Sequence, residues 1–253
     1  MKDYLSLLAV ASAIIFTPPI AAAAPDIGPV RHIVLVHGAF ADGSGWKPVA
    51  DILTRDGYTV SVVQEPLTSL EDDVVATNRI LDRQNGPAVL VGHSYGGAVI
   101  TEAGNNPHVA SLVYVAGFVP DEGETVISQI KSTPPAADSI APTADGYLLV
   151  DQAKFPADFA ADLPLGDASF MAISQVPWNA KIISTPIAAP AWKHKPVYGI
   201  VATQDRMINP ALERAMYARA KASVTEIKGS HAVFISQPRA VADVIERAAR
   251  GER

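Results

Sequence analysis

The chain has 253 residues, 49% of them hydrophobic, a formal net charge of −6 and no cysteine. That length and apolar content suffice for a sizeable core, in one large α/β domain or two small ones. The acidic balance argues against a nucleic-acid partner, which would need a basic face, and the lack of cysteine excludes a disulfide framework, a thiol nucleophile and any Cys-ligated metal.

The N-terminus reads as an export signal: Lys2 begins it, the apolar run 4–20 follows, and the four alanines 21–24 offer the small residues a signal peptidase requires. Residues 1–23 are assigned to the signal peptide and 24–253 to the mature domain. The expected location is then the periplasm or the exterior, with no stable membrane insertion after processing. Asp3 and the Pro18-Pro19 pair run against this reading, and an uncleaved anchor is its alternative.

From Val30 short β-branched apolar runs alternate with longer amphipathic ones, the pattern of parallel strands joined by helices. A strand is predicted over 33–36, followed by the loop His37-Gly38-Ala39-Phe40 and a helix over about 46–55. A strand over 58–63 comes next. Ser69, with Asp72 three residues on, starts a helix to about Asp82, and its early acids Glu71, Asp72 and Asp73 are read as capping. The run 88–91 is apolar throughout, as a strand buried on both faces should be. A helix to about Ala103 and a strand over 112–115 follow.

Regular alternation then stops. The segment 117–193 is rich in proline and alanine and shows no strand period, so it is read as a partly helical cap insertion without a core of its own. The basic cluster Lys193-His194-Lys195 at its end is read as a solvated loop. Alternation resumes with a strand over 197–201, a helix over about 210–220, a strand over 224–227 and a last helix over about 239–249. The fold class expected is α/β, with a mostly parallel central sheet covered by helices on both faces.

Gly92-His93-Ser94-Tyr95-Gly96 matches G-x-S-x-G between a predicted buried strand and a predicted helix, the context that makes the pentapeptide a nucleophile turn. Side chains at Gly92 and Gly96 would collide with the tightly turned backbone. A serine hydroxyl needs a base, and of six histidines only His231 lies in a loop between the last strand and the last helix. His37 and His93 are read as orienting the glycine-bearing loops. Asp205, after the strand ending at Val201, completes the order Ser, Asp, His; Asp121, after the earlier strand, is the competing acid. Backbone N–H groups of Ala39 and Tyr95 are the expected oxyanion donors. Gly38 is expected to leave room for substrate, and Phe40, Phe170, Met171 and Trp178 are candidates for the pocket, with Trp192 a further apolar residue of the cap.

These three loops, His37-Gly38-Ala39-Phe40 with Gly45-Trp46, Gly92-His93-Ser94-Tyr95-Gly96-Gly97 and Gly229-Ser230-His231, resemble the α/β-hydrolases near plant methyl esterases, hydroxynitrile lyases and bacterial pyrethroid-type esterases. The resemblance implies the α/β-hydrolase fold and a two-step acyl transfer on a small-molecule ester, with no cofactor and no metal. Pairing of two copies as a homodimer is compatible with it. The related lyases typically carry a threonine where Gly38 stands and a lysine where Ala232 stands; both are missing here, which points to hydrolysis instead of cyanohydrin cleavage.

Overall fold

The computed structural model describes residues 30–252, so the expected signal segment 1–23 lies outside the described residues. The first half of the chain alternates as its periodicity predicts: β1 (His32–Val36), α1 (Lys47–Arg55), β2 (Thr59–Val62), α2 (Leu70–Leu81), β3 (Ala88–His93), α3 (Gly96–Ala103) and β4 (Val109–Val115). A 3₁₀ turn over Gly43–Trp46 leads into α1, with Asp42 accepting from Ser44 N at its start. Ser69 caps α2, its Oγ accepting from Asp72 N at 3.0 Å.

The segment after β4 holds α4 (Val126–Ser132), β5 (Ile140–Pro142), β6 (Tyr147–Val150), α5 (Phe155–Asp158), α6 (Leu165–Ile173) and β7 (Trp178–Asn179). The chain then returns to the sheet with β8 (Val197–Ala202), α7 (Pro210–Arg219), β9 (Ser223–Ile227), the short α8 (Val233–Ser236) and α9 (Pro238–Arg250).

Six strands form the central sheet in the order β2-β1-β3-β4-β8-β9, and every neighbouring pair is parallel. Alternate residues of each strand face opposite sides, and both sides are apolar. Val34, Leu90, Leu112 and Val201 enter one core; Ile33, Leu35, Val89, Val91, Val113 and Ile200 enter the other. The second core is closed by Val49, Ile52 and Leu53 of α1 and Val241, Val244 and Ile245 of α9. A strand buried on both faces has no polar side to show, which is why these runs read as continuously apolar.

The insertion carries helices α4, α5 and α6 and, beside them, strands its sequence did not signal. β5, β6 and β7 form a separate three-stranded antiparallel sheet. With 3, 4 and 2 residues, these strands are too short for a period of two to register in the sequence. Val126, Phe155, Phe159 and Trp178 of this segment join the same apolar cluster as Val34 and Leu90, so it shares the core of the sheet. No helix among the described residues is long and apolar enough to cross a membrane.

Because all six strands are parallel, the loops after β1, β3, β4, β8 and β9 emerge at one edge. The strand order reverses between β1 and β3, and such a switch point opens a crevice at the carboxyl ends of the strands. The His37–Phe40 loop and Ser94 stand at that crevice.

Candidate active site

Ser94 follows β3 directly and has φ 54°, a left-handed conformation that a non-glycine residue adopts at a cost on the order of 1–3 kcal/mol. Surrounding bonds hold it there: Ser94 N donates to Val115 O at 3.2 Å, and Ser94 O accepts from Gly97 N at 3.0 Å and Phe118 N at 3.1 Å. The turn demands bare backbone on either side. A Cβ on Gly92 would run into Gly96 O, and one on Gly96 would lie 2.5 Å from His37 O.

The hydroxyl points at a histidine from the far end of the chain. Ser94 Oγ lies 2.9 Å from His231 Nε2, and His231 Nδ1 lies 2.6 Å from Asp205 Oδ2. With the ring proton on Nδ1 donated to the carboxylate, Nε2 is left free to accept from the serine hydroxyl. Asp205 is itself fixed, since its Oδ1 accepts from Met207 N at 2.7 Å and Ile208 N at 2.9 Å. All three side chains belong to buried residues, with Ser94 the most accessible at 7%. Asp121, the competing acid, instead pairs with Lys193 at 2.6 Å on the surface, and its carbonyl accepts from Glu124 N in a turn at the start of the insertion. The Lys193 bond holds its carboxyl below the usual carboxylate range. Lys195 of the same basic loop donates to Val109 O, so neither of its lysines is simply solvated.

Two further histidines brace the loops. His37 Nε2 accepts from Glu65 N at 2.9 Å, and its Nδ1 then carries the proton that it donates to Gly38 O at 2.9 Å. Burial lowers its pKa and keeps the ring neutral. His93 Nε2 donates to the carbonyl of His231 at 2.9 Å, and burial together with the nearby His231 ring pushes its pKa well down. The Phe159 ring stands edge-on to the His231 ring, centroids 4.7 Å apart.

Two backbone N–H groups in these loops are left unspent. Among the described residues, neither Ala39 N–H nor Tyr95 N–H donates to a protein acceptor. Phe40 has φ 64°, so the loop turns sharply just after Ala39. Gly38 serves a different purpose from the one expected. The space its missing Cβ leaves is taken by Ser94 Cβ, 2.7 Å from the position that Cβ would occupy, and by His93, so it lets the nucleophile's own turn approach the loop.

A cavity of about 80 Å³ opens beside this loop, lined by Phe40, Ser44, Phe170, Met171, Phe234 and Ile235 among others. Phe170 is 66% exposed, so it forms the rim of that cavity. Trp178 is buried and does not line the cavity; it packs edge-on to Phe40 at 5.8 Å and against Tyr95 at 5.0 Å, a wall behind the loop. Trp192, the other apolar candidate, lies at the base of the insertion, where its Nε1 donates to Pro120 O. No group of three or more His, Asp or Glu side chains among the described residues is disposed to hold a metal ion.

Several site residues carry no sequence signature. Asp73, expected as a helix cap, is buried and accepts from Tyr95 Oη at 2.7 Å and Leu67 N at 2.8 Å. Burial, opposed by those two bonds, pushes its pKa up to about 6. Asp162 of the insertion accepts from Ser230 N and from the Ser230 and Ser236 hydroxyls.

A six-stranded parallel sheet with a serine on a positive-φ strand-to-helix turn and a histidine after the last strand defines an α/β-hydrolase fold. Residues 33–244 match the model of the alpha/beta hydrolase family, and the chain belongs to that family. It is 27% identical over 246 residues to a pyrethroid hydrolase of Sphingobium wenxiniae (strain DSM 21828 / CGMCC 1.7748 / JZ-1), covering 85% of this chain and 86% of that one. It is 34% identical over 121 residues to a carbendazim hydrolyzing esterase of Nocardioides sp. (strain SG-4G), a match to 42% of this chain that spans only half of that protein's length. Among solved structures, the pyrethroid hydrolase PytH superposes with a TM-score of 0.77 at 25% identity, covering 87% of this chain and 98% of that one. Polyneuridine aldehyde esterase superposes with a TM-score of 0.73 at 16% identity, covering 85% and 98%, and so shares the fold.

Proposed function

We propose that the protein is a serine hydrolase of small carboxylic esters. Ser94 attacks the ester carbonyl, His231 takes its proton and later returns it to the departing alcohol, and Asp205 holds the ring in the required tautomer. The N–H groups of Ala39 and Tyr95 receive the oxyanion, and water then releases the acid. The observation that carries the reading is the bonded chain from Ser94 Oγ to His231 at 2.9 Å and on to Asp205 at 2.6 Å, built on a serine held at positive φ. Ester-cleaving relatives support it from a separate direction.

Hydrolysis is favoured over cyanohydrin cleavage because Ala232, beside the base, is buried and carries no charge for a leaving cyanide. Phe40, Phe170 and Met171 favour an apolar acyl or alcohol group of modest size. Export through cleavage of residues 1–23 is part of the same reading, supported by the apolar leader and its four alanines, and N-terminal sequencing of the secreted protein tests it.

The decisive experiment is Ser94→Ala against a panel of aliphatic and aromatic chromogenic esters, with mandelonitrile alongside and fluorophosphonate labelling of the wild type. Loss of ester turnover in the variant and labelling at Ser94 are expected. Near-wild-type turnover, or cyanide release without ester cleavage, would overturn the assignment.

A further inference from the structure

Helix α7 turns Leu212, Glu213, Met216 and Tyr217 inward, and Glu213 is the one charged residue type on that face. Its side chain lies wholly out of contact with solvent. One carboxyl oxygen, Oε2, accepts from Ala202 N at 3.0 Å at the end of β8. Among the described residues, the other oxygen, Oε1, receives no hydrogen bond. The Glu213 side chain lies within hydrogen-bond reach of the Asp205 carboxyl. Two carboxyls in contact cannot both be ionised at a dry site, because like charges repel and water is absent to screen them.

Among the described residues no lysine or arginine is buried to relieve the pair. The groups that act on Glu213 are Asp205, Tyr217 and Arg214. Tyr217 is neutral, its phenol pushed well up by burial, and its oxygen accepts from Gly117 N. Arg214 faces outward, where Glu226 engages both its Nε and its Nη2 at 2.7 and 2.8 Å. The ring of His231 reaches the pair only through Asp205. Asp205 already accepts three bonds, two from backbone N–H groups and one from His231. Glu213 accepts one. The proton therefore rests on Glu213, and the oxygen without a donor is explained as part of a hydroxyl.

We propose that Glu213 is a positioning residue of this site, a neutral carboxylic acid that donates its O–H to Asp205 and holds that carboxylate toward His231. The inference rests on the reading of Ser94, His231 and Asp205 given above. Its effect is to spread the charge of Asp205 over two carboxyls, which reduces the charge presented to the imidazole and fixes the position of Oδ2. A burial cost in α7 thereby sets the strength of the acid–base pair.

The test combines infrared spectroscopy and pH profiles on the full-length protein. At pH 7 the difference spectrum of wild type minus Glu213→Gln contains the carbonyl stretch of a protonated carboxyl, shifted in D₂O. Glu213→Gln, which keeps an N–H donor, leaves the acid limb of kcat/KM in place. Glu213→Leu, with no donor, moves that limb to higher pH by roughly half to one unit and lowers kcat by about tenfold. A carboxylate band in the difference spectrum overturns the proposal, as does a downward move of the limb in Glu213→Gln. So does an unchanged profile in Glu213→Leu. If Glu213→Leu does not fold, the spectrum and the glutamine variant still decide. Should wild-type protein cleave no ester and Ser94 resist labelling, the proposed function falls, while the infrared band continues to report on Glu213 by itself.

Discussion

The Tyr95 hydroxyl donates a 2.7 Å hydrogen bond to Asp73 Oδ2, tying the residue that follows Ser94 to the first turn of α2. The backbone N–H of Tyr95 is one of the two proposed oxyanion donors, so a side chain anchored in one helix aims a backbone group at the start of another. Tyr95→Phe is expected to lower kcat by roughly tenfold with little change in KM, since the aim of that donor matters most once charge has developed. Stability should fall by about 1–2 kcal/mol, measured by urea unfolding, because Asp73 loses a bond to a charged group. Unchanged kcat would separate the phenol from the oxyanion donor.

Asp73 also sets a pH dependence of stability. Its carboxyl is pushed up to about 6 in the folded protein, chiefly by burial, whereas an unfolded aspartate titrates near 3.9. Between those values the folded state binds more protons than the unfolded state, so this group's contribution is fully present below about pH 4 and is lost as pH rises through about 6. Glu65, raised well above its ordinary value by burial and by Asp73, acts in the same direction. Asp73→Asn is expected to flatten the stability profile across this window. Unfolding midpoints for both proteins at several pH values check it, and parallel profiles would count against the assignment.

Asp205→Asn should lower kcat by about 10⁴-fold, because the ring loses the carboxylate that fixes its tautomer. Asp121→Asn should remain close to wild type in activity and cost no more than about 1 kcal/mol, since it breaks only a partly exposed pair with Lys193. Steady-state rates on one chromogenic ester rank the two, and the opposite order would return the acid to the loop after β4.

Gly38→Ala is expected to lower turnover by about 10²-fold while leaving most of the fold in place. The added Cβ would lie 2.7 Å from Ser94 Cβ and 3.0 Å from His93 O, so the loop carrying Ala39 must retreat from the nucleophile. A displacement of about 1 Å at a reacting centre can cost on the order of 10²-fold. Fluorophosphonate labelling slowed by that factor, with unaltered circular dichroism, is the expected pair of results.

The parts of the site that rest on local backbone demands were legible in the sequence. Gly92 and Gly96 must be glycine for the turn around Ser94 to form, and the chain order of Ser94, Asp205 and His231 follows from which strand each loop leaves. What could not be read were contacts made by burial. Asp73 has the position of a helix cap yet turns inward to Tyr95, and nothing in the spacing of Glu71, Asp72 and Asp73 separates the three. Glu213 left a weak signal, a charged residue on the apolar stripe of Leu212, Met216 and Tyr217. Phe159 and Asp162 come from a segment whose strands and helices are too short to show a period, and their relation to His231 exists only in three dimensions.

That relation has a consequence for any exchange of the insertion between relatives. Phe159 O accepts from Ala232 N at 3.0 Å and from Ser230 Oγ at 3.2 Å, and Asp162 gathers the Ser230 and Ser236 donors. The turn bearing His231 is therefore clasped by the same segment whose Phe170 and Met171 line the cavity beside the His37–Phe40 loop. An exchange confined to residues 164–174 leaves the Phe159 and Asp162 bonds in place, whereas a transplant that begins before Phe159 is expected to import a foreign clasp and replace the seat of His231.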